Sequence, residues 1–529
     1  MERVISQKLW GGRFVEDIDP DFHNFNASIY IDKRLYVEDI EGSIAYARVL
    51  CKAKLISQEE MQAINTALKQ VQSEWENNKF IINHEDEDVH SANERRLSEL
   101  IGDIAKKLHI GRSRNDQTVT DTKLWLRKSI DKLLFRLKKF IEVLIARAEE
   151  DIDIVMPGYT HMQRAQPIRW SQWLLSYAWY AKQDLERLLQ VRKHVNILPL
   201  GSGAIAGNPF AIDRQFLAME LGFEEITENS MHTVGDRDFV AEFLFWSSLS
   251  SIHLSRFCED LIIYSTQEFN FVQFADKYST GSSLMPQKRN PDCMELIRGK
   301  TGTIFGKCIG FMVTLKGIPS TYNKDLQEDK ESLFYTYDTL YQMFHIAEKA
   351  LATLKVNKKS CKRALTSDML ATDMAYYLVK KGVHFSEDMW QQRHNGKRKL
   401  KSRAIPTIFR FFLKGTNENE VSQTLKEHDI HAKEGQEINN ILELNIEEYN
   451  TLNNIGECVI VNNIPKCDKG SDIDTVDTNT VGNNTAEYII VSTECISNIS
   501  EAKKRKKNEK NEEIIKKQKL HMVRMRKKR

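Results

Sequence analysis

Residues 124–148 read LWLRKSIDKLLFRLKKFIEVLIARA. Apolar residues recur in this stretch at alternating steps of four and three positions, namely Leu126, Ile130, Leu133, Leu137, Phe140 and Leu144. That spacing places the six side chains on one face of an α-helix, either as the seam between partner helices or as the core face of an ordinary amphipathic helix. Both interpretations predict a long helix that packs against other helices.

Proline spacing and apolar patterns predict more long helices around this one. No proline occurs between Pro20 and Pro157 or between Pro319 and Pro406, and proline is the strongest helix breaker. Helical patterns cover residues 170–191, 239 to about 271, 292–316 and 329–356. Five long helices with little strand signal predict an all-α fold built on a helical bundle. The broad apolar coverage predicts self-association.

Composition favours a cytoplasmic chain. The 529 residues carry a formal net charge of +2, and basic residues crowd the extreme C-terminus. The eight cysteines are scattered without a CxxC pair, which favours reduced thiols over disulfides or a zinc cluster. We find no run of about 18 apolar residues, so we expect no membrane span, and the N-terminus does not resemble a signal peptide.

Four glycine-rich polar segments separate the predicted helices, at residues 111–116, 158–161, 201–208 and 281–291. Loops between rigid elements often carry chemistry. In the last segment, Lys288 and Arg289 could hold an anion and make a serine hydroxyl more acidic. A solvated loop that caps the helix beginning near Asp292 explains the same composition equally well.

The order of residues in the last segment adds information. GSSLMPQKRN at residues 281–290 resembles the fumarase/aspartase superfamily signature GSSxMPxKxN. From Lys8 to about Gly382 the chain resembles argininosuccinate lyases in particular. The matching segments are KLWGGRF (8–14), FNASI (25–29), DEDVHSANERRL (86–97), GRSRNDQ (111–117), PGYTHMQRAQPIRWS (157–171), PLGSGAIAGNP (199–209), RDFVAEFLFW (237–246) and STYNKDLQEDKE (320–331).

The resemblance implies a division of the chain into domains. A small N-terminal helical domain is expected over residues 1–112, and the central helical bundle over residues 113–365. Residues 366–383 resemble the start of a C-terminal helical domain whose remainder is missing, so this domain is expected to be truncated.

The resemblance also implies a reaction, the splitting of argininosuccinate into arginine and fumarate without a metal or organic cofactor. It implies a homotetramer in which three subunits contribute to each active site. Ser282 and His161 are the expected acid–base pair, and either one could be the base. Lys288 is expected to assist the serine and Glu295 to orient the histidine. The expected substrate-binding residues are Ser28, Arg114, Asn115, Thr160, Asn290, Tyr322, Gln327 and Lys330.

The remainder of the chain does not fit this family. Residues 384–409 resemble the closing part of a THAP-type zinc finger, with His384 in the place of its histidine. Lys381 stands where that finger has a cysteine, and tetrahedral zinc needs four ligands, so we expect no zinc site. Residues 410–529 are expected to form a largely disordered basic tail. Its terminal Lys/Arg runs are either solvated or a nuclear address, and we expect no nucleic-acid binding.

Two alternatives to an active lyase follow from the missing C-terminal domain. The chain could be a catalytically inactive, crystallin-like relative kept for structure or binding. It could also be a gene-fusion product with a nuclear tail. A natural fusion and a mistaken gene model explain the junction near Val383 equally well.

Overall fold

The computed structural model describes residues 18–373 and Tyr376. These residues are mainly α-helical, and the fold is the expected all-α architecture. The helices are α1 (Pro20–Asn26), α2 (Ile29–Asp32), α3 (Tyr36–Lys52), α4 (Gln58–Glu76), α5 (Val89–Ile101), α6 (Arg114–Glu150), α7 (Trp170–Val195), α8 (Arg214–Leu221), α9 (Ser230–Gly235), α10 (Asp238–Ser265), α11 (Asp292–Leu315), α12 (Asp329–Ala352) and α13 (Lys358–Arg363).

The five longest helices, α6, α7, α10, α11 and α12, form a bundle. Helix α6 packs on α7 and α12, α10 packs on α7 and α11, and α11 packs on α12. All six residues of the periodic set in α6 are buried in the bundle core. The spacing in residues 124–148 therefore predicted the core face of the central helix correctly.

Short strands connect the helices, in four two-stranded ladders within the described residues. The strands are β1 (Val155–Thr160), β2 (Gln163–Arg169), β3 (Ile197–Leu198), β4 (Glu225–Ile226), β5 (Val272–Gln273), β6 (Thr280–Gly281), β7 (Arg289–Asn290) and β8 (Lys355–Val356). Strands β1 and β2 form an antiparallel hairpin between α6 and α7, and β6 and β7 close the glycine loop at residues 281–290.

Two helices end earlier than their apolar patterns predicted. Helix α10 ends at Ser265 instead of near residue 271, and α12 ends at Ala352 instead of 356. Val272 pairs with Val356 in the β5–β8 ladder, and Asn270 has a positive φ of 50° that ends helical geometry. The apolar residues beyond each helix belong to short strands and the segments that lead into them, which a hydrophobic pattern alone does not distinguish from a helix.

A second apolar core lies among α3, α4, α5 and α8. It includes residues from before and after α6, such as Leu50 and Leu217. No helix in the described part of the chain combines the length and apolar character needed to cross a membrane. The THAP-like segment at 384–409, the tail at 410–529, residues 374–375 and 377–383 of the expected truncated domain, and the KLWGGRF segment at 8–14 lie outside the described residues.

Candidate active site

Thr160 and His161 lie at the tip of the β1–β2 hairpin. Thr160 pairs with Gln163 across a two-residue turn made by His161 and Met162. Both turn residues have a positive φ, 54° and 58°, which suits a tight turn between twisted strands. The tip is exposed, and no described side chain forms a hydrogen bond with the His161 imidazole. The imidazole is therefore available to a ligand or to a partner subunit.

Ser282 lies in the glycine loop between β6 and β7. Its Oγ accepts hydrogen bonds from the backbone N–H groups of Leu284, at 3.2 Å, and Met285, at 3.0 Å. Lys288 follows in the same loop and its backbone N–H donates to the Met285 carbonyl at 3.1 Å. Two amide donors on one hydroxyl oxygen favour negative charge at that oxygen. This geometry suits a serine that loses its proton during catalysis.

Asn290 and Glu295 flank the same loop. The Asn290 Nδ2 donates to Thr280 Oγ1 at 3.4 Å across the β6–β7 ladder. Glu295 lies in the first turn of α11 and is exposed. The glycine loop and the start of α11 therefore hold Ser282, Lys288, Asn290 and Glu295 in one exposed region.

The first turn of α6 carries Arg114 and Asn115. Ser113 caps this helix, because its Oγ accepts a hydrogen bond from the Asn115 N–H at 3.2 Å. Arg114 is held by Gln117 at 2.9 Å and by the carboxylate of Glu94 at 3.3 Å. Burial would raise the pKa of Glu94, but the charge of Arg114 and the contact with His109 lower it to about 2. The guanidinium is thus fixed by an ionised partner.

The glycine-rich segment at 201–207 holds the start of α6 in place. Asp116 Oδ2 accepts hydrogen bonds from the backbone N–H groups of Gly201, at 3.0 Å, and Gly203, at 2.8 Å. A Cβ on Gly203 would lie 2.8 Å from the Gly207 carbonyl oxygen, and its φ of +65° also favours glycine. The sequence ranked this segment among the loops for chemistry, whereas in the structure it supports the helix that carries Arg114 and Asn115.

Lys330 is buried at the start of α12 in a group of charged residues. Its Nζ donates to Asp329 Oδ1 at 2.8 Å, and the Arg237 Nε donates to Asp329 Oδ2 at 2.6 Å. Arg237 is 1% exposed, and its Nη2 has no hydrogen-bond partner among the described residues. Two cations therefore share the carboxylate of Asp329. Sequence reasoning missed Arg237, although it begins the matching segment RDFVAEFLFW.

Tyr322, Gln327 and Ser28 lie near this charged group. Burial raises the pKa of Tyr322 to about 12, so its hydroxyl remains a donor at neutral pH. Gln327 Nε2 donates to the Asn26 carbonyl at 3.2 Å, which ties the start of α12 to the segment that carries Ser28. Ser28 is buried, and its Oγ donates to Asp32, a carboxylate that also interacts with the charge of Lys330.

One protomer does not bring all the expected site residues together. Arg114 and the Thr160–His161 tip lie at opposite ends of α6, whose 37 residues span about 55 Å at 1.5 Å per residue. Ser282 precedes the start of α11, a 24-residue helix that also contacts the 3₁₀ helix Lys324–Glu328. The structure thus gathers Ser28, Arg114, Asn115, Tyr322, Gln327 and Lys330 at one end of the bundle. It leaves the hairpin tip and the glycine loop at the other end.

Comparisons with known proteins agree with this architecture. A family model described as lyase matches residues 12–306. A probable argininosuccinate lyase of Schizosaccharomyces pombe is 57% identical over 383 residues, which cover 72% of this chain and 83% of that protein. An argininosuccinate lyase of Candida albicans is 54% identical over 381 residues, or 72% of this chain and 81% of that protein. The chain belongs to the argininosuccinate lyase family.

The fold of the chain is also similar to that of a solved lyase structure. The chain is similar to EDDS lyase, crystallised with formate, at 25% identity and a TM-score of 0.61, covering 69% of this chain and 72% of that one. The superfamily membership expected from GSSLMPQKRN is therefore confirmed. The 383 residues shared with the Schizosaccharomyces pombe relative agree with the extent of the resemblance expected from the quoted segments.

Proposed function

We propose that this chain catalyses the β-elimination of argininosuccinate to arginine and fumarate. The observation that carries the proposal is the glycine loop, where two backbone N–H groups donate to Ser282 Oγ in a loop that also contains Lys288. Relatives named argininosuccinate lyase, at 54–57% identity over more than 380 residues, support this choice of substrate.

Ser282 removes the proton from the carbon next to a substrate carboxylate. A serine hydroxyl is a poor base, so its alkoxide must be stabilised before it can act. The amide donors of Leu284 and Met285 and the ammonium group of Lys288 supply that stabilisation. His161 protonates the departing guanidinium nitrogen, because a histidine side chain can serve as a general acid. Glu295 of another subunit orients the imidazole.

The carboxylates of the fumarate portion are bound by neutral and cationic donors. Asn115, Thr160 and Asn290 supply neutral donors, and Lys288 supplies a positive charge. Proton removal creates further negative charge on a carboxylate, so donors already in place stabilise the transition state more than the substrate. Loss of one such donor typically costs about 100- to 1000-fold in turnover. Ser28 and Arg114 complete the polar wall on the α6 side.

The arginine portion binds at the buried charged group. Lys330 and Arg237 share the carboxylate of Asp329, and the Arg237 Nη2 has no hydrogen-bond partner among the described residues, so these cations can donate to the α-carboxylate of the substrate. The Tyr322 hydroxyl keeps its proton at neutral pH and can donate to the same end of the substrate. Gln327 contributes an amide from the 3₁₀ helix that precedes α12.

The active site is completed by self-association, as a homotetramer. Helix α11 supports this part of the proposal because large apolar side chains on it are exposed, namely Leu296, Phe305, Ile309, Met312 and Val313. Four glycines of α11 face open space, at positions 299, 302, 306 and 310. Glycines at this spacing let another helix approach closely. Antiparallel packing of bundles through α11 would bring the glycine loop of one copy towards the α6 start of another.

The proposed setting of the reaction is cytoplasmic arginine biosynthesis or a urea cycle. We retain the proposed domain limits of 1–112 and 113–365, with a truncated C-terminal domain at 366–383. Residues 384–409 are proposed as a THAP-like fragment without zinc, and residues 410–529 as a basic tail.

The proposal is tested by fumarate release from the purified full-length chain. Argininosuccinate is the substrate, and adenylosuccinate, which also yields fumarate, is the matched control. Turnover of argininosuccinate alone supports the proposal, and Ser282→Ala and His161→Asn should each lower it by at least about 100-fold without loss of helix content. An intact oligomer with no turnover of either compound would instead support a catalytically inactive relative.

A further inference from the structure

Asp39, His90 and Asp121 form a fully buried polar cluster between α3, α5 and α6. Each side chain is at most 2% exposed. His90 Nδ1 lies 2.9 Å from Asp39 Oδ1 and 3.3 Å from Asp121 Oδ2. The proposed mechanism uses none of the three residues, yet two carboxyl groups and an imidazole are costly to bury. Their arrangement therefore needs a physical explanation.

The two carboxyl groups differ in their hydrogen-bond donors. Asp39 accepts hydrogen bonds from His90 Nδ1, from Asn93 Nδ2 at 2.7 Å and from Gln117 Nε2. Asp121 Oδ2 has no hydrogen-bond partner among the described residues. A carboxylate that receives several donors is stabilised in its charged form, whereas one that receives none is favoured in its neutral form.

The surrounding charges act in the same direction. Burial and the charges of Asp39 and Glu38 raise the pKa of Asp121 well above its usual range, and Arg112 and Arg114 only partly oppose them. For Asp39, burial is outweighed by His90, Arg112 and the Asn93 amide, which lower its pKa to about 2.

A bound cation is the other explanation for such a cluster, because one ligand atom from each residue lies within 4.8 Å of the others. Asp39 fits this explanation poorly, since both of its oxygens already accept hydrogen bonds from side-chain N–H groups. A metal ion would need the same lone pairs and would face the partial positive charge of the amide groups. A proton needs only the free oxygen of Asp121.

We propose that Asp121 is a neutral carboxylic acid in the folded enzyme, and that it leaves His90 bound to Asp39 alone so that His90 positions Thr118 beside the substrate site. His90 Nε2 lies 3.2 Å from Thr118 Oγ1. Thr118 follows Arg114 by four residues and Asn115 by three, so the three side chains share one face of α6. Asp121 is therefore a positioning residue that acts through His90. This inference rests on the proposed lyase function.

An ionised Asp121 would disturb this arrangement. It would place a second carboxylate 3.3 Å from the same imidazole N–H that Asp39 uses. The ring could then reorient towards Asp121, which would alter the hydrogen bond between His90 Nε2 and Thr118. The proton on Asp121 thus preserves the donor pattern of the α6 face.

The test compares three variants of the full-length oligomer. Asp121→Asn keeps the shape and neutrality of the acid and should retain kcat/KM within about threefold, whereas Asp121→Ala leaves a cavity and should lower it about tenfold. Asp39→Asn, the matched change on the other carboxyl group, should lower kcat/KM by at least about 100-fold, because it removes the negative charge and turns one acceptor oxygen into an NH2 group that faces another N–H donor. Thr118→Val should raise KM with less effect on kcat.

Two further measurements separate this inference from the proposed function. Infrared difference spectra at neutral pH should contain the C=O band of a protonated carboxyl group in the wild type that is absent from Asp121→Asn. Because the pKa of Asp121 is raised in the folded protein, this side chain contributes fully to the free energy of unfolding below the pKa of an unfolded aspartate. That contribution is lost as the pH rises through the raised value. Wild-type stability should therefore fall relative to Asp121→Asn as the pH rises from the pKa of an unfolded aspartate through the raised value, and kcat/KM should fall as the pH passes the raised value.

Three results would overturn the inference. They are a loss of activity in Asp121→Asn as large as in Asp39→Asn, the absence of the infrared band, and a stoichiometric metal ion in the purified protein that Asp121→Asn lacks. If the wild type has no lyase activity, the proposed function fails, but the infrared and stability measurements still decide the protonation of Asp121.

Discussion

Mixing two inactive variants should restore activity, because the site residues lie at opposite ends of the bundle. We consider Asn115→Ala, at the start of α6, and His161→Asn, in the hairpin that follows the end of α6. The helix between them spans about 55 Å, far more than the length of argininosuccinate. An active site that uses both residues must therefore take them from different copies of the chain.

The expected recovery follows from this separation. Each variant alone should retain about 1% of wild-type turnover or less, because it lacks either a carboxylate donor or the imidazole. When equal amounts of the two chains assemble at random, a site has a one-half chance of an intact Asn115 and an independent one-half chance of an intact His161. About one quarter of the sites should then contain both residues, so turnover should rise to about 25% of the wild-type value.

The assay is fumarate release by co-expressed, co-purified mixed oligomers. Asn115→Ala mixed with Lys330→Met is the matched control, because both residues belong to the same end of the bundle and their mixture should recover much less activity if one subunit supplies both. Turnover of the first mixture that stays at the level of the single variants, in oligomers verified to contain both chains, would refute the separation of the site between subunits.

The remaining predictions concern assembly, buried charge and acid stability. Gly306→Leu should dissociate the oligomer while circular dichroism shows unchanged helix content, since Gly306 of α11 faces open space; an intact oligomer by size-exclusion chromatography would contradict this. Asp329→Ala should lower the free energy of unfolding in urea by about 3–5 kcal/mol, because it leaves Arg237 and Lys330 buried without their partner; a loss below 1 kcal/mol would count against the shared carboxylate. The pKa of Glu94 is lowered from 4.5 to about 2, so its contribution is present above pH 4.5 and lost as the pH falls through about 2. The stability difference between wild type and Glu94→Gln should accordingly vanish over that range, and a pH-independent difference would contradict the ionised Arg114–Glu94 pair.

Local patterns predicted the helices of the bundle well. Residues 124–148 gave the core face of α6, because helical periodicity and burial coincide where a helix packs on two neighbours. The predicted ends of α10 and α12 were wrong because the apolar residues beyond these helices lead into the β5–β8 ladder. The β1–β2 hairpin was not predicted, since the PGYT segment interrupts any alternation of apolar and polar residues.

The candidate site depended on contacts that no local pattern contains. The Arg237–Asp329 pair joins residues 92 positions apart, and only the packing of α10 against α12 brings them together. Asp116 and Gly203 are 87 positions apart, so the supporting role of the glycine-rich segment could not be read from its composition. Motif resemblance suggested Ser282 and His161 as site residues. The separation of about 55 Å between the start of α6 and the hairpin tip of the same chain could be read only from the length of the helix.

The two-residue turn at the tip of the β1–β2 hairpin limits how this region can change. One inserted residue would shift the strand pairing by one position and turn the side chains beyond the insertion to the other face of the hairpin. Deletions have the same effect in the other direction. Natural variation in this segment should therefore be confined to substitutions, with changes of length tolerated only in loops away from the three groups of site residues.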